Sequence, residues 1–450
     1  MNTADLILSS RWVLPIAPIN CALENYAIVI SDNRIVAIIP KEAALKQFQT
    51  KKHLDLHQHV LMPGLVNAHA HTPMNLFRGL ADDLELMDWL TQHIWPAEKA
   101  LINPASVNVG SRLAIAEMIR GGITCFNDNY FFPDVTASVA MEEGIRAVLG
   151  NVIMSVPTEW AKTETEYFQK AQTILKNQPH SELITWTLCP HAPYTVNDHS
   201  LKKIKHLSKE LNLPIHMHVH ETAFEIEQSL KDHQKRPLER LENLGLLSDK
   251  FIAVHMTQLT NEEIKRLHHY GVHVVHCPES NLKLASGFAP ISQLLDAKVN
   301  VALGTDGAAS NNDLDLFSEL RTAAFIAKAE SRDPTRLPAA TALEMATING
   351  ARALGLADKI GSLEAGKLAD IIAIDLSSFL TQPIYDPISH LAYAMNRLQV
   401  SDVWIAGKQL LQSGQFTQLN TTKLVQEAQV WADKAKPFCR GASTLEKVAL

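Results

Sequence analysis

The chain has 450 residues, of which 46% are hydrophobic and 20% charged, and its net charge is −7 from 41 basic and 48 acidic side chains. This composition excludes a disordered chain, and the length suits one large domain with a smaller one beside it. Without a basic stripe the charge argues against a nucleic-acid partner, and no apolar run approaches the ~18 residues of a membrane helix.

The N-terminus, MNTADLILSSRWVLPIAP, lacks the basic stretch that opens a signal peptide. Short strands are expected at 4–8, 26–30 and 34–39, with a turn at Ser31-Asp32-Asn33 before the last. From 61 to 359, short apolar runs that end in polar or small residues alternate with amphipathic helical stretches. The strand-like runs are 64–71, 122–128, 145–153, 184–191, 215–220, 251–255, 273–277 and 300–305. Helical patterns lie between them at 107–120, 200–211, 261–270 and 314–330. Eight such βα units in ~300 residues predict an α/β fold, a (β/α)8 TIM barrel. The competing open doubly wound sheet lacks its glycine-rich phosphate turn at the first strand. Towards the C-terminus, 369–375 and 402–405 read as strands, and Ala406-Gly407-Lys408 as a tight turn into 409–411. The two chain ends are expected to pair into one small β-sandwich domain, residues 1–60 and 360–450, beside a catalytic barrel of residues 61–359.

The placement of the polar residues carries the chemistry, because a TIM barrel builds its active site at the C-terminal ends of its strands. Most of the strand-like runs end in histidine or aspartate. The first closes with His69-Ala70-His71, and residues i and i+2 of a strand share a face, so both imidazoles aim into one space. In the fifth, the same alternation places His216, His218 and His220 together, with Glu221 at the strand end, where it can carry protons. The sixth ends at His255, and the eighth runs into Asp306-Gly307. An aspartate there reads either as a helix N-cap or as a metal ligand and base. Four strands delivering ligand-type residues at one end favour the second reading. Cysteine ligation is not expected: Cys21, Cys125, Cys189, Cys277 and Cys439 are scattered, with no CxxC, which also fits a reducing cytoplasm. Nitrogen and oxygen ligands of this kind suit Zn2+, with Fe2+ or Mn2+ as alternatives.

The segments LMPGLVNAHAHTPMNLFRGLADDLELMDWL, CPHAPYTV, HMHVHET, VHMTQL, VHCPESNLKLASG and LGTDGAASNNDLDLF, with the terminal GSLEAGKLADIIAID, resemble the amidohydrolase superfamily. Within it they are similar to the branch of 5-methylthioadenosine/S-adenosylhomocysteine deaminases and triazine chlorohydrolases. The resemblance implies one divalent metal held by His69, His71, His218 and Asp306. The fourth run offers His191 in place of the bridging lysine or glutamate of two-metal members, and His220 falls at a variable position. It implies catalytic roles for Glu221, His255 and Asp306. It implies substrate contacts from Trp89, Glu98, Arg146 and His191 besides Glu221 and Asp306, with Glu98 accepting from a ribose diol. Plainer readings stand beside three of these: Trp89 in the core, Glu98 on a helix surface and Arg146 as a structural ion pair. The second arginine of some members is absent, the chain reading Leu149-Gly150-Asn151-Val152, which leaves the 5′ substituent open.

The implied reaction is hydrolytic deamination of an adenosine-type nucleoside. The alternatives are a deaminase or dehalogenase of a free guanine, pterin or triazine, or a non-catalytic scaffold on the same barrel. A homo-oligomer is a further expectation by resemblance.

Overall fold

Residues 2–177 and 181–440 are described by a computed structural model. The N-terminal region forms β1 (Asn2–Val13), β2 (Leu23–Ser31), β3 (Arg34–Pro40) and β4 (Phe48–Pro63). Period-two alternation sends Leu6, Leu8, Ile28 and Ile30 into one apolar cluster and Ile7, Ala27 and Val29 into another. β4 is longer than its sequence suggests. Its first residues, FQTKKHLDLHQH, are mostly polar and half-buried or exposed, and they hold their place by parallel pairing with β1.

The barrel strands are β5 (Leu65–Ala70), β6 (Ile123–Asp128), β7 (Arg146–Ile153), β8 (Ile184–Pro190), β9 (Ile215–Val219), β10 (Phe251–His255), β11 (His273–His276) and β12 (Val301–Leu303). They lie in sequence order in one parallel sheet. The sheet closes where Ala70 bridges to Asp306, and the amides of Thr305 and Asp306 both donate to the His69 carbonyl at 3.1 Å. That seam needs a glycine. A Cβ on Gly304 would lie 2.8 Å from the His69 Cβ. Val66, Cys125, Val148, Ile252, Val254 and Val275 form an apolar cluster of barrel-strand side chains, all fully buried.

After the barrel come β13 (Ile371–Asp375), β14 (Val400–Ile405), β15 (Lys408–Gln412) and β16 (Gln415–Phe416). β13 pairs antiparallel with β4, from Ile371↔Pro63 to Asp375↔His59, so both chain ends share one eight-stranded sheet. The sheet curls on itself, since Arg34 in β3 also bridges to Leu368 just before β13. The helix Thr421–Ala435 leaves this sheet and packs on the barrel helix Pro104–Arg120. The strands of the eight-stranded sheet thus lie within 2–63 and 371–416, and the barrel strands within 65–303. Among the described residues no helix is long and apolar enough to cross a membrane, and the five cysteines are free.

Candidate metal centre

Four side chains from three places on the barrel converge. His69 lies in β5, His71 directly follows it, His218 lies in β9, and Asp306 follows β12 with φ +59°. Aspartate tolerates that left-handed conformation better than most residues, and here it turns the carboxylate inward from the seam. Asp306 Oδ1 is 3.2 Å from His69 Nε2 and 3.1 Å from His71 Nε2, and His218 Nε2 is 3.2 Å from His69 Nε2. One ligand atom from each of the four lies within 4.8 Å of all the others.

The opposite edge of each ring explains why the converging atoms are lone pairs. His71 Nδ1 donates to the Asn129 carbonyl at 2.6 Å, and His218 Nδ1 donates to the His191 carbonyl at 2.7 Å. His69 Nδ1 faces His216 Nε2 at 3.1 Å, and His216 Nδ1 faces Asn127 Oδ1 at 2.8 Å. With Asn127 accepting, the proton positions along this chain leave His69 Nε2 bare. Burial lowers the His69 pKa to about 4 and that of His218 well below its usual value, so both rings are neutral at pH 7. Burial also acts to lower His71, but the Asp306 carboxylate outweighs it and the pKa is raised. The carboxylate thus draws positive charge to this spot. The bare Nε2 atoms of His69 and His218 face inward beside the Asp306 carboxylate, which also draws a proton to His71 Nε2, and a cation among the four takes the place of that proton. The donor set fits one divalent ion, and it is the one such group among the described residues.

Around this centre the remaining groups are fixed in turn. Ser280 and Ser310 hydroxyls both donate to Asp306 Oδ2 at 2.7 Å, which leaves Oδ1 as the free oxygen. His255, at φ +74°, commits Nδ1 to Asn281 Oδ1 at 2.9 Å and turns Nε2 to within 3.9 Å of Glu221 Oε1. The Glu221 amide donates to Glu225 Oε2 at 2.8 Å and its carbonyl accepts from Thr257 Oγ1 at 2.7 Å, which fixes the backbone. Burial pushes the Glu221 carboxyl up, so it holds a proton more readily than an exposed glutamate. His191 places its ring 4.9 Å from that of His218, with Nδ1 against Thr195 Oγ1 at 3.1 Å.

Glu98 accepts from the Tyr130 hydroxyl at 2.5 Å, and the Tyr130 ring lies 6.2 Å from that of His71. Loss of solvent raises the Glu98 pKa to about 6, against the opposing effects of Tyr130 and His71. Trp89 is 5% exposed and packs in an apolar cluster with Met74, Phe77 and Ala97.

Two expectations are corrected. Arg146 is the first residue of β7, at the opposite end of the barrel from Asp306. Its guanidinium binds Asp370 through Nε and Nη2 at 2.9 and 3.1 Å, with both side chains buried, so it touches no part of the site. His220 leaves the β9 face because its φ is +56°, and its Nε2 accepts from the Leu238 amide at 3.1 Å. Sequence reasoning missed Tyr130, Asn281, Ser280 and Ser310, although the middle two stand in the CPESN segment.

The amidohydrolase family model matches residues 60–410. The chain belongs to the amidohydrolase family. A 5-methylthioadenosine/S-adenosylhomocysteine deaminase from Saccharophagus degradans is 46% identical over 431 residues, 96% of this amidohydrolase and 97% of the relative. One of that name from Teredinibacter turnerae is 44% identical over 433 residues, 96% of this chain and 98% of its own. The crystal structure of an adenosine deaminase from Xanthomonas campestris with bound zinc matches with a TM-score of 0.96 and 51% identity, covering 97% of this chain and 99% of that one. A zinc complex of an atrazine chlorohydrolase from Arthrobacter aurescens, at 23% identity and a TM-score of 0.87 over 95% of this chain and 100% of its own, shares the fold.

Proposed function

We propose that this amidohydrolase deaminates an adenosine-type nucleoside, such as 5-methylthioadenosine, S-adenosylhomocysteine or adenosine, to the inosine-type product and ammonia. The observation that carries it is the convergence of His69, His71, His218 and Asp306 within 4.8 Å, with Glu221 and His255 beside them. The names of the relatives supply the substrate class.

Zinc held by these four residues supplies Lewis acidity and makes water a nucleophile near neutral pH. Asp306, whose Oδ2 is held by two serine hydroxyls and whose Oδ1 faces the metal position, takes the proton of the attacking water. Glu221 gives its proton to N1 of the purine, so that negative charge does not accumulate on the ring as water adds to C6. His255 Nε2, fixed by Asn281 behind it, orients the water. Asp306 then delivers its proton to the amino group, ammonia leaves, and the C6 hydroxyl gives up its proton to Glu221 as the carbonyl forms, which restores both carboxyl groups. Glu98 accepts from the ribose hydroxyls with Tyr130 steadying it.

The test is a panel of the three nucleosides and the free bases, followed by ammonia release. Glu221→Gln is expected to lower kcat at least ~100-fold with metal content unchanged, the range of lost acid–base catalysis. Turnover of free guanine or a triazine in preference to the nucleosides overturns the substrate assignment.

A further inference from the structure

The residues that grip the proton-transfer machinery also grip the segment that bears Glu98. Between Gly79 and Glu85 the chain has no helix or strand, and it passes through φ +69° at Gly79 and +61° at Asp83 before entering the π-turn Trp89–Ile94. A stretch with so few backbone bonds of its own takes its position from side-chain anchors. The principal anchor is Asp82. Its Oδ1 accepts from Lys283 Nζ at 2.7 Å and its Oδ2 from Asn312 Nδ2 at 2.8 Å. Lys283 uses its other ammonium hydrogens on the Ala309 carbonyl at 3.1 Å and Asn312 Oδ1 at 2.6 Å. All three donors of the ammonium are thereby directed, which a solvated surface pair does not require.

The origin of these partners gives the anchor its meaning. Lys283 ends the helix Pro278–Lys283, which carries Ser280 against Asp306 and Asn281 against His255. Ala309 and Asn312 flank Ser310, the second hydroxyl on Asp306. A second anchor comes from the end of the described chain. Arg440 Nη1 donates to the carbonyls of Asp82 and Asp83 at 3.0 and 3.1 Å, and the Phe438 carbonyl accepts from His93 Nδ1 at 2.7 Å.

We propose that Asp82 and Lys283 are positioning residues that seat the Glu98 segment over the metal centre by tying it to the helix that carries Ser280 and Asn281. The proposal rests on the nucleoside reading for its kinetic signature but not for its structural one. Asp82→Asn and Lys283→Met are expected to raise KM for the preferred nucleoside about tenfold, the effect of losing a hydrogen bond to a charged group, with kcat within about threefold and metal content unchanged. Lys283→Arg keeps the cation and is expected to recover at least half of the affinity. Amides of residues 79–101 are expected to exchange hydrogen faster in both weakened variants. If Lys283→Met does not fold, Asp82→Asn decides. Unchanged KM together with unchanged exchange in 79–101 overturns the proposal, as does a fall in kcat at constant KM. Absence of nucleoside turnover in the unaltered enzyme instead overturns the functional reading, and hydrogen exchange still decides the anchor.

Discussion

Glu98 sits where mild acid can switch it. The loss of solvent that raises its pKa to about 6 means that its carboxylate forms only as pH climbs through that value. A ribose diol donates two hydrogens, and the ionised carboxylate accepts both, whereas the neutral acid offers one good acceptor. KM for a nucleoside is therefore expected to fall as pH rises from 5 to 7, by about tenfold if the neutral form does not bind, because one unit below the pKa about a tenth is ionised. Glu98→Gln should flatten that dependence and leave the KM of a free base unchanged. A KM profile identical in the variant and the unaltered enzyme would refute the role. At this scale the ligand-type residues could be placed from the sequence because histidine and aspartate at strand ends are conspicuous. The groups that hold them could not, because Ser280, Ser310 and Asn281 have side chains common in any loop, and only the folded chain brings them to Asp306 and His255. Arg146 misled although its place was legible: it opens the run 145–153, the end of the strand away from the ligands, and only the resemblance gave it a substrate role.

The elements were legible where their apolar period was strong. The barrel strands fall within a few residues of their expected positions, since each is buried along its length and bounded by polar turns. β4 was obscured because its pairing with β1 is made by backbone groups, on which side-chain pattern is silent. The seam between β12 and β5 is similar, for it depends on the lack of a side chain. Gly304 lets the backbone of one strand lie against His69 in the other, where a methyl group would come within 3.0 Å of the His69 amide and carbonyl. Gly304→Ala is expected to destabilise the fold by ~1–3 kcal/mol, the usual cost of overpacking, and to weaken metal binding because the displaced residue is a ligand. Urea unfolding and chelator competition measure the two effects. Normal metal affinity with reduced stability would show that the seam yields away from His69.

Across the whole molecule, the two sheets meet at the far end of the barrel from the metal. There Arg146 opens β7, and Asp370 stands just before β13. The pair is almost free of solvent, with side-chain exposures of 1% and 2%. Each partner has further bonds: Arg146 Nη1 donates to the Glu182 carbonyl at 2.7 Å, and Asp370 Oδ1 accepts from the Ala406 amide at 2.7 Å. Burial opposes the charge of Arg146, but Asp370 outweighs it and the guanidinium pKa is raised. Removing one partner of such a pair strands the other charge in a dry site, which costs about 3–5 kcal/mol. Arg146→Met is expected to lose that much stability in urea unfolding while the KM for nucleoside stays unchanged in the folded fraction. Arg146→Met with Asp370→Leu should recover only part of the loss. The stranded charge is then gone, but the Ala406 amide has lost its acceptor, itself worth about 1–3 kcal/mol. A rise in KM without loss of stability in Arg146→Met would return this residue to the substrate and move the joint between the sheets elsewhere.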